Sequence, residues 1–451
     1  MRATVLSGAR TVGGVQILVR TAASALILDF GIVGNPRIVR DTTLFNEFLP
    51  VRPGRELRDY LAAGMAAPIA GIYSAAALGA ADGATLIHAP RVRSKLGIAP
   101  IDLSGCDTAV FVSHAHDDHL RLVEYLDART PVLMSETGAR FHSALVAAGI
   151  VPPAGTAPVG LPGSTVFSVG DLAATVVAVD HDIPGAAGVV VTDEASGARL
   201  AYTGDWRRHG RRPDQMDEFA RAAAGVDVLF TDGSTTDHEP AGLAAQIPET
   251  QIAERVADVV RTTRGAVYVA FHQRNVERHR DLQLVAQQLG RTLVVTGSTA
   301  RLWRAWGCLD ADAPVHVWSG DAGDDLRDTV AVDPRHVRED PAHWMCELPV
   351  RLLPLLLDTR AGAGDTYLMT NGYPYSPASP HWAVLRTWVR ELGLSWVEIS
   401  SHGHALPGDL AWLVDRVRPG RVVPVHTNKP EGFPRVDAEV AALHDGDELT
   451  L

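Results

Sequence analysis

The sequence predicts an α/β protein made of two closely packed parts around one shared site, and three observations predict it. At 451 residues the chain is longer than one ordinary core, so two domains, or one domain with a large insertion, are expected. A series of short apolar runs each delivers an acid or an imidazole just past its end. Between about 240 and 394 the pattern changes to alternating helix and strand.

In chain order, Val15 to Arg20 and Ala25 to Asp29 read as a strand pair, followed by Phe30 and Gly31. The run Ala109 to Val112 leads into Ser113-His-Ala-His-Asp-Asp-His119. Leu172 to Val179 leads to His181, Leu200 to Tyr202 to Asp205, and Val226 to Phe230 to Asp232. Late in the chain, Val397 to Ile399 precedes His402 and His404, and Val422 to Val425 precedes His426. Loops at strand ends can converge on one crevice, so this repetition points to a shared site. Within the middle segment, Ile252, Val256, Val259 and Val260 mark a helix face, Ala266 to Phe271 a buried strand, Val276 to Leu289 a second helix and Thr292 to Val295 a further strand. These βαβ-like units predict a separate parallel sheet. The turn-rich stretches Asp321 to Asp325 and Asp358 to Asp365 read as connections.

Composition narrows the function classes. An apolar fraction of 46% with 21% charged residues is ordinary for a globular protein, and no stretch approaches the ~18 consecutive apolar residues of a membrane span. The early arginines are followed by a run broken at Gly13, Gly14 and Gln16, unlike a secretory signal, so a cytoplasmic location without membrane attachment is expected. Cys106, Cys308 and Cys346 are odd in number and far apart, which argues against both a disulfide framework and a cysteine zinc site. A net charge of −12 repels polyanions, so nucleic-acid binding would need a local basic cleft.

His114, His116, Asp118 and His119 place four potential ligands in six residues. A buried cluster of this kind is costly unless paired or metallated. Zinc takes imidazole nitrogen and carboxylate oxygen, and a two-ion site with a shared carboxylate needs about seven protein ligands. With His181, Asp205 and His426 the sequence offers seven. Such ligands serve zinc or manganese, so two divalent ions are expected with their identity open.

These motifs resemble the metallo-β-lactamase superfamily: the run from His114 to His119, His181 within Asp-His-Asp-Ile-Pro-Gly, Thr203-Gly-Asp205 and Pro424-Val-His426. Their order and spacing resemble its β-CASP branch, and within it the bacterial ribonuclease J-type proteins. Thr11-Val-Gly-Gly14, Asp29-Phe-Gly31, the Gly185 to Val191 strand and Val276-Glu-Arg278 extend the likeness over nearly the whole chain. The resemblance implies a metallo-β-lactamase αββα sandwich with an inserted β-CASP-like α/β domain, divided as 1–239, 240–394 and 395–451. It implies that His114, His116 and His181 hold one metal, that Asp118, His119 and His426 hold the other, and that Asp205 bridges them. It further implies catalytic parts for Asp118, for His404, placed to bond or protonate the reacting phosphate, and for Asp232, placed to orient a ligand imidazole.

The chain departs from this pattern on the substrate side. His272-Gln-Arg-Asn275 stands where relatives carry small residues, Asn371-Gly-Tyr-Pro-Tyr375 where they carry a Gly/Ser/Gln loop, and Thr427-Asn-Lys-Pro430 where Gly-Glu is usual. Arg207 and Arg208, just after Asp205, are candidate phosphate contacts on the cleft rim or a solvated loop. Lys429, one of only two lysines, is a candidate anion contact or an ordinary exposed lysine. Tyr373 and Tyr375 are read as stacking on a base or packing between domains. The expected function is therefore hydrolysis of phosphodiesters by a metal-bridging hydroxide, with single-stranded RNA as substrate. The alternatives are a small anionic ester substrate and a metal-stabilised binding protein; a homo-oligomer is left open.

Overall fold

The computed structural model describes residues 1–32, 50–79, 98–238, 246–308, 314–375, 377 and 379–451. Two seven-stranded sheets face each other. The first runs Glu448–Thr450, Arg2–Ser7, Gln16–Arg20, Ser24–Leu28, Asp107–Phe111, Val132–Ser135 and Val159–Leu161. The second runs Glu439–Val440, Arg421–Val425, Val228–Asp232, Arg199–Tyr202, Ala187–Asp193, Leu172–Ala178 and Val166–Val169.

Alternation along each strand explains why these runs are apolar throughout. Successive side chains point to opposite faces of a sheet. Ile17, Val19, Leu26, Leu28, Ala109 and Phe111 therefore meet Val189, Val228, Phe230 and Val423 in the core between the sheets. Their neighbours Leu18, Ile27, Val110 and Leu229 face outward into a second core. Helices cover that outer side, with Phe141 and Leu145 on Glu136–Ala147, Met216 and Phe219 on Asp214–Ala222, and Leu413 and Val417 on Pro407–Val417. The result is a four-layer helix–sheet–sheet–helix stack.

The middle segment builds a third seven-stranded sheet, ordered Val330–Val332, His316–Trp318, Thr292–Val295, Trp344–Glu347, Val267–Phe271, Thr366–Thr370 and Ser395–Glu398. Every neighbouring pair in it is parallel. Val267, Val269 and Phe271 pack on the helices Ile252–Thr262 and Val276–Gln288, while Tyr268 and Ala270 face Leu385 and Val389 on Pro380–Glu391. Both faces are covered, as parallel sheets require. Its last strand lies past the expected boundary at 394, because Thr366 to Met369 pair in register with Ser395 to Glu398. The expected boundary at 239/240 lies outside the described residues. Among the described residues no helix is long and apolar enough to cross a membrane.

Two glycine-bearing segments let the backbone close on the histidine-rich loop. Gly14 and Val15 N–H groups donate to the Asp118 carbonyl, and Phe30 N–H donates to that of His119. A Cβ on Gly31 would stand 1.7 Å from the Asp118 carbonyl oxygen, so no side chain fits there.

Candidate metal centre

Strand ends supply each functional side chain. The loop after Asp107–Phe111 carries His114 in a bend and His116 in extended backbone, then turns into a short helix, Asp117–Leu120, that presents Asp118 and His119. His181 follows Leu172–Ala178, Asp205 follows Arg199–Tyr202, Asp232 ends Val228–Asp232, and His426 follows Arg421–Val425 with a φ of 57°.

These residues form two facing donor groups. In one, His116 Nδ1 lies 3.0 Å from His114 Nε2 and 3.4 Å from His181 Nε2. In the other, His426 Nε2 lies 3.0 Å from Asp118 Oδ2, and His119 Nε2 lies 3.9 Å from the same oxygen. Asp205 Oδ2 stands between them, 3.8 Å from His114 Nε2, 3.2 Å from His119 Nε2 and 3.6 Å from His426 Nε2. The sets His114, His116, His181, Asp205 and Asp118, His119, His426 each keep their ligand atoms within 4.8 Å of one another. Asp205 with Asp232, His404 and His426, and His116 with Asp182 and His272, meet the same condition.

Hydrogen bonds at the far side of the rings fix the tautomers that a cation needs. His181 Nδ1–H donates to the Gly403 carbonyl at 2.7 Å, and His119 Nδ1–H donates to Asp29 Oδ2 at 2.7 Å. Ser234 Oγ donates to Asp232 Oδ1 at 2.6 Å and so accepts from His426 Nδ1–H, also at 2.6 Å. On each of these rings the outer partner takes Nδ1, which turns Nε2 toward the centre, as in a metal-binding histidine. His119 Nε2 is buried with no hydrogen-bond partner. Burial also pushes His114, His116 and His181 below the usual imidazole range, favouring the neutral ligand form. Burial alone would raise the Asp205 carboxyl, but His119, His426 and His404 outweigh it and hold Asp205 well below its ordinary value. The donor set fits divalent ions.

His404 Nδ1 lies 2.9 Å from Asp232 Oδ2 and 3.6 Å from Asp205 Oδ2. Burial would lower this imidazole, yet the two carboxylates more than offset it and raise it to about 9. Asp232 thus bonds His404 directly, whereas its hydrogen-bonded path to His426 runs through Ser234.

Other expected contacts sit elsewhere. Arg207 is not on a rim: it is fully buried, paired with Glu249 at 3.0 Å and bonded to the His402 carbonyl at 3.2 Å. Its backbone N–H is tied to the Asp180 carbonyl, which turns the side chain inward toward the charge on Glu249. Arg208 lays its guanidinium over the Trp412 ring, 3.8 Å from the centroid, so cation–π attraction and Asp409 hold it on a helix rather than at the centre. Tyr373 donates to, or accepts from, His381 Nδ1 through its hydroxyl at 2.6 Å, while Tyr375 packs edge-on against His272. Lys429 is exposed, and its carbonyl accepts from Thr236. His402 lends its Nδ1 to the His404 N–H.

Sequence reasoning missed Asp29, Ser113, Tyr202 and Ser234 as supports. Asp29 accepts from the Ser113 N–H and hydroxyl, the Tyr202 hydroxyl and His119. The signal was present, since Asp29 also follows an apolar run. Asp182 and His272 were likewise not assigned to the centre, although they face His116.

Residues 86–273 match the β-lactamase superfamily domain. The chain has the metallo-β-lactamase fold. A ribonuclease J of Mycolicibacterium smegmatis is 24% identical over 335 residues, which cover 70% of this chain. That stretch is 58% of the relative, so the chain spans less than two thirds of its length. The crystal structure of a protein of unknown function from Enterococcus faecalis V583 has the same fold from end to end, with a TM-score of 0.77, 20% identity, and coverage of 100% of this chain and 99% of that one. The metallo-β-lactamase fold accounts for the two facing sheets and the donors clustered at their strand ends, and the third sheet is an insertion into it.

Proposed function

We propose that this protein is a dinuclear metal-dependent hydrolase of phosphodiesters, with single-stranded RNA as substrate. One observation carries the reading: Asp205 Oδ2 lies within 3.2–3.8 Å of ring nitrogens from both donor groups, as a shared carboxylate must. Two divalent ions, with zinc favoured by the imidazole-rich set and manganese the alternative, would supply a nucleophilic water at neutral pH and stabilise developing charge. His114, His116 and His181 would hold one and Asp118, His119 and His426 the other.

The chain's own groups supply the rest. Asp232 fixes His404 through Nδ1, which leaves Nε2 as the ring atom able to donate to a phosphoryl oxygen or to the leaving oxygen. The raised basicity of His404 keeps that proton in place near neutral pH. The likeness to a ribonuclease J supports an RNA substrate.

A second reading, a small anionic ester, is favoured by Arg207 and Arg208 being turned away from the centre in a chain of net charge −12. Incubating metal-loaded protein with 5′-monophosphorylated RNA separates the two. Cleavage that is lost in Asp118→Ala and His116→Ala supports the ribonuclease. Failure to cut RNA or single-stranded DNA, with turnover of a small phosphodiester, replaces it with the second reading.

A further inference from the structure

We propose that His116, Asp182 and His272 form a third cation position, shared between the two domains and separate from the pair around Asp205. The inference rests on the dinuclear reading for its neighbours but concerns Asp182 and His272, which that reading does not use, and the ring nitrogen of His116 that it leaves over.

His272 is the first residue after the strand Val267–Phe271 of the inserted sheet. Its loop is pinned to the histidine-rich loop by Arg274, which donates to the Ala115 carbonyl at 2.6 Å and to Asp117 Oδ1 at 2.8 Å. Asp182 comes from the other side, directly after the ligand His181. His116 uses Nδ1 to face His114 and His181, so its Nε2 points the opposite way, 3.9 Å from Asp182 Oδ1. His272 Nδ1 stands 3.9 Å from the second oxygen, Asp182 Oδ2. The imidazoles of His116 and His272 meet edge to face, with centroids 4.9 Å apart.

Both 3.9 Å separations are too long for hydrogen bonds. Asp182 Oδ1 and His116 Nε2 are excluded from solvent and have no hydrogen-bond partner. His181 Nε2 is 3.3 Å from Asp182 Oδ1 but brings no proton, because that ring's N–H is committed to the Gly403 carbonyl. Asp182 Oδ1 thus stands among three imidazoles with no proton donor within hydrogen-bonding reach, an arrangement that is costly without a positive charge beside it. Two donors each ~2.0–2.2 Å from one ion stand ~3.3–4 Å apart, which matches the observed spacing. Two imidazole nitrogens and a carboxylate suit zinc or a similar borderline ion better than magnesium or calcium. On binding, His116 would bridge, with Nδ1 on the first position and Nε2 on the third, and its ring proton would pass to solvent. The ion would then tie the inserted domain to the loop that carries the metal ligands.

The test is zinc stoichiometry of the full chain after equilibration with a weak chelator, together with zinc-edge anomalous maps of wild type, Asp182→Asn, His272→Ala and the volume-conserving His272→Gln. Three ions are expected in wild type, the third among these side chains. In the variants two ions remain and the third binds at least about tenfold more weakly, the scale of losing one ligand-shell partner. A wild type that saturates at two, with only water at this position, or variants that keep the third ion, overturns the proposal and leaves the dinuclear function standing. A wild type that saturates below two overturns both.

Discussion

Substituting Asp29 by Asn separates a metal site built by its supports from a fortuitous cluster of histidines. Asp29 is fully buried at the end of the strand Ser24–Leu28, with a φ of 55°. Asparagine is the right probe because it tolerates that left-handed backbone, whereas alanine would add strain of its own. Asp29 Oδ1 accepts from the Ser113 N–H at 2.6 Å, and asparagine can keep this bond. At the second oxygen, which takes His119 Nδ1–H, the Ser113 hydroxyl and the Tyr202 hydroxyl, the variant offers an amide N–H₂ instead. His119 must then accept at Nδ1 and carry its proton on Nε2, so the lone pair aimed at the centre is lost. Removing an outer partner of this kind weakens metal binding by ~10–100-fold. That factor corresponds to about 1.4–2.8 kcal/mol. Chelator competition read for each ion should show the loss at the position shared by Asp118, His119 and His426. Tyr202→Phe, which leaves Asp29 and His119 joined, should lose only a few-fold. Wild-type affinity in Asp29→Asn, with the metal-free Tm unchanged, would refute the tautomer argument.

His404→Asn should keep both ions and lower turnover by ~10²–10⁴-fold, as measured by metal content and rate together. Glu249 pairs with both buried Arg207 and buried Arg278 through Oε2. Glu249→Gln strands those charges and should cost ~3–5 kcal/mol in urea unfolding. Glu347 is 5% exposed and accepts from the Thr296 N–H and the Thr296 and Thr299 hydroxyls, and burial pushes its carboxyl from 4.5 up to about 7. Because the folded value is the higher one, its contribution is full below the unfolded pKa and is lost as pH rises through about 7. The loss totals ~3 kcal/mol at 1.36 kcal/mol per unit. Wild-type Tm should therefore fall between pH 5 and 8 by more than that of Glu347→Gln, and parallel pH profiles would count against a neutral carboxyl.

The clustered donors were legible because each obeys a local rule: an apolar run ends and a donor follows. His114, His181, Asp205 and His426 are found this way without knowing which strands are neighbours. Asp29 obeys the same rule but was hidden because its partners, His119 and Tyr202, lie 90 and 173 residues away. Arg207 shows the opposite failure. Position next to Asp205 suggested substrate, yet its burial depends on Glu249, 42 residues on, and no local pattern encodes that pairing. The third sheet was readable from its helix–strand alternation, whereas its closing strand was misplaced because Ser395–Glu398 is only partly buried and carries a weak apolar signal.

The same topology sets the clustered donors and the loops of the inserted sheet on different parts of the chain. The two donor groups draw every side chain from loops at the ends of strands in the two facing sheets, beside both cores. The inserted sheet is parallel, so the carboxyl ends of its strands lie along one edge, and the loops after Val267–Phe271 and Thr366–Thr370 carry His272 and Asn371. Asn371 is held by Arg278 and by the Ser401 N–H, while His272 and Arg274 reach His116, Asp182, Ala115 and Asp117. The inserted edge thus touches the outer side of the ligand loop without supplying a ligand to the pair. Residues there can be exchanged without touching the seven clustered donors, and two of the three departures from the expected pattern, at His272 and Asn371, lie along this edge.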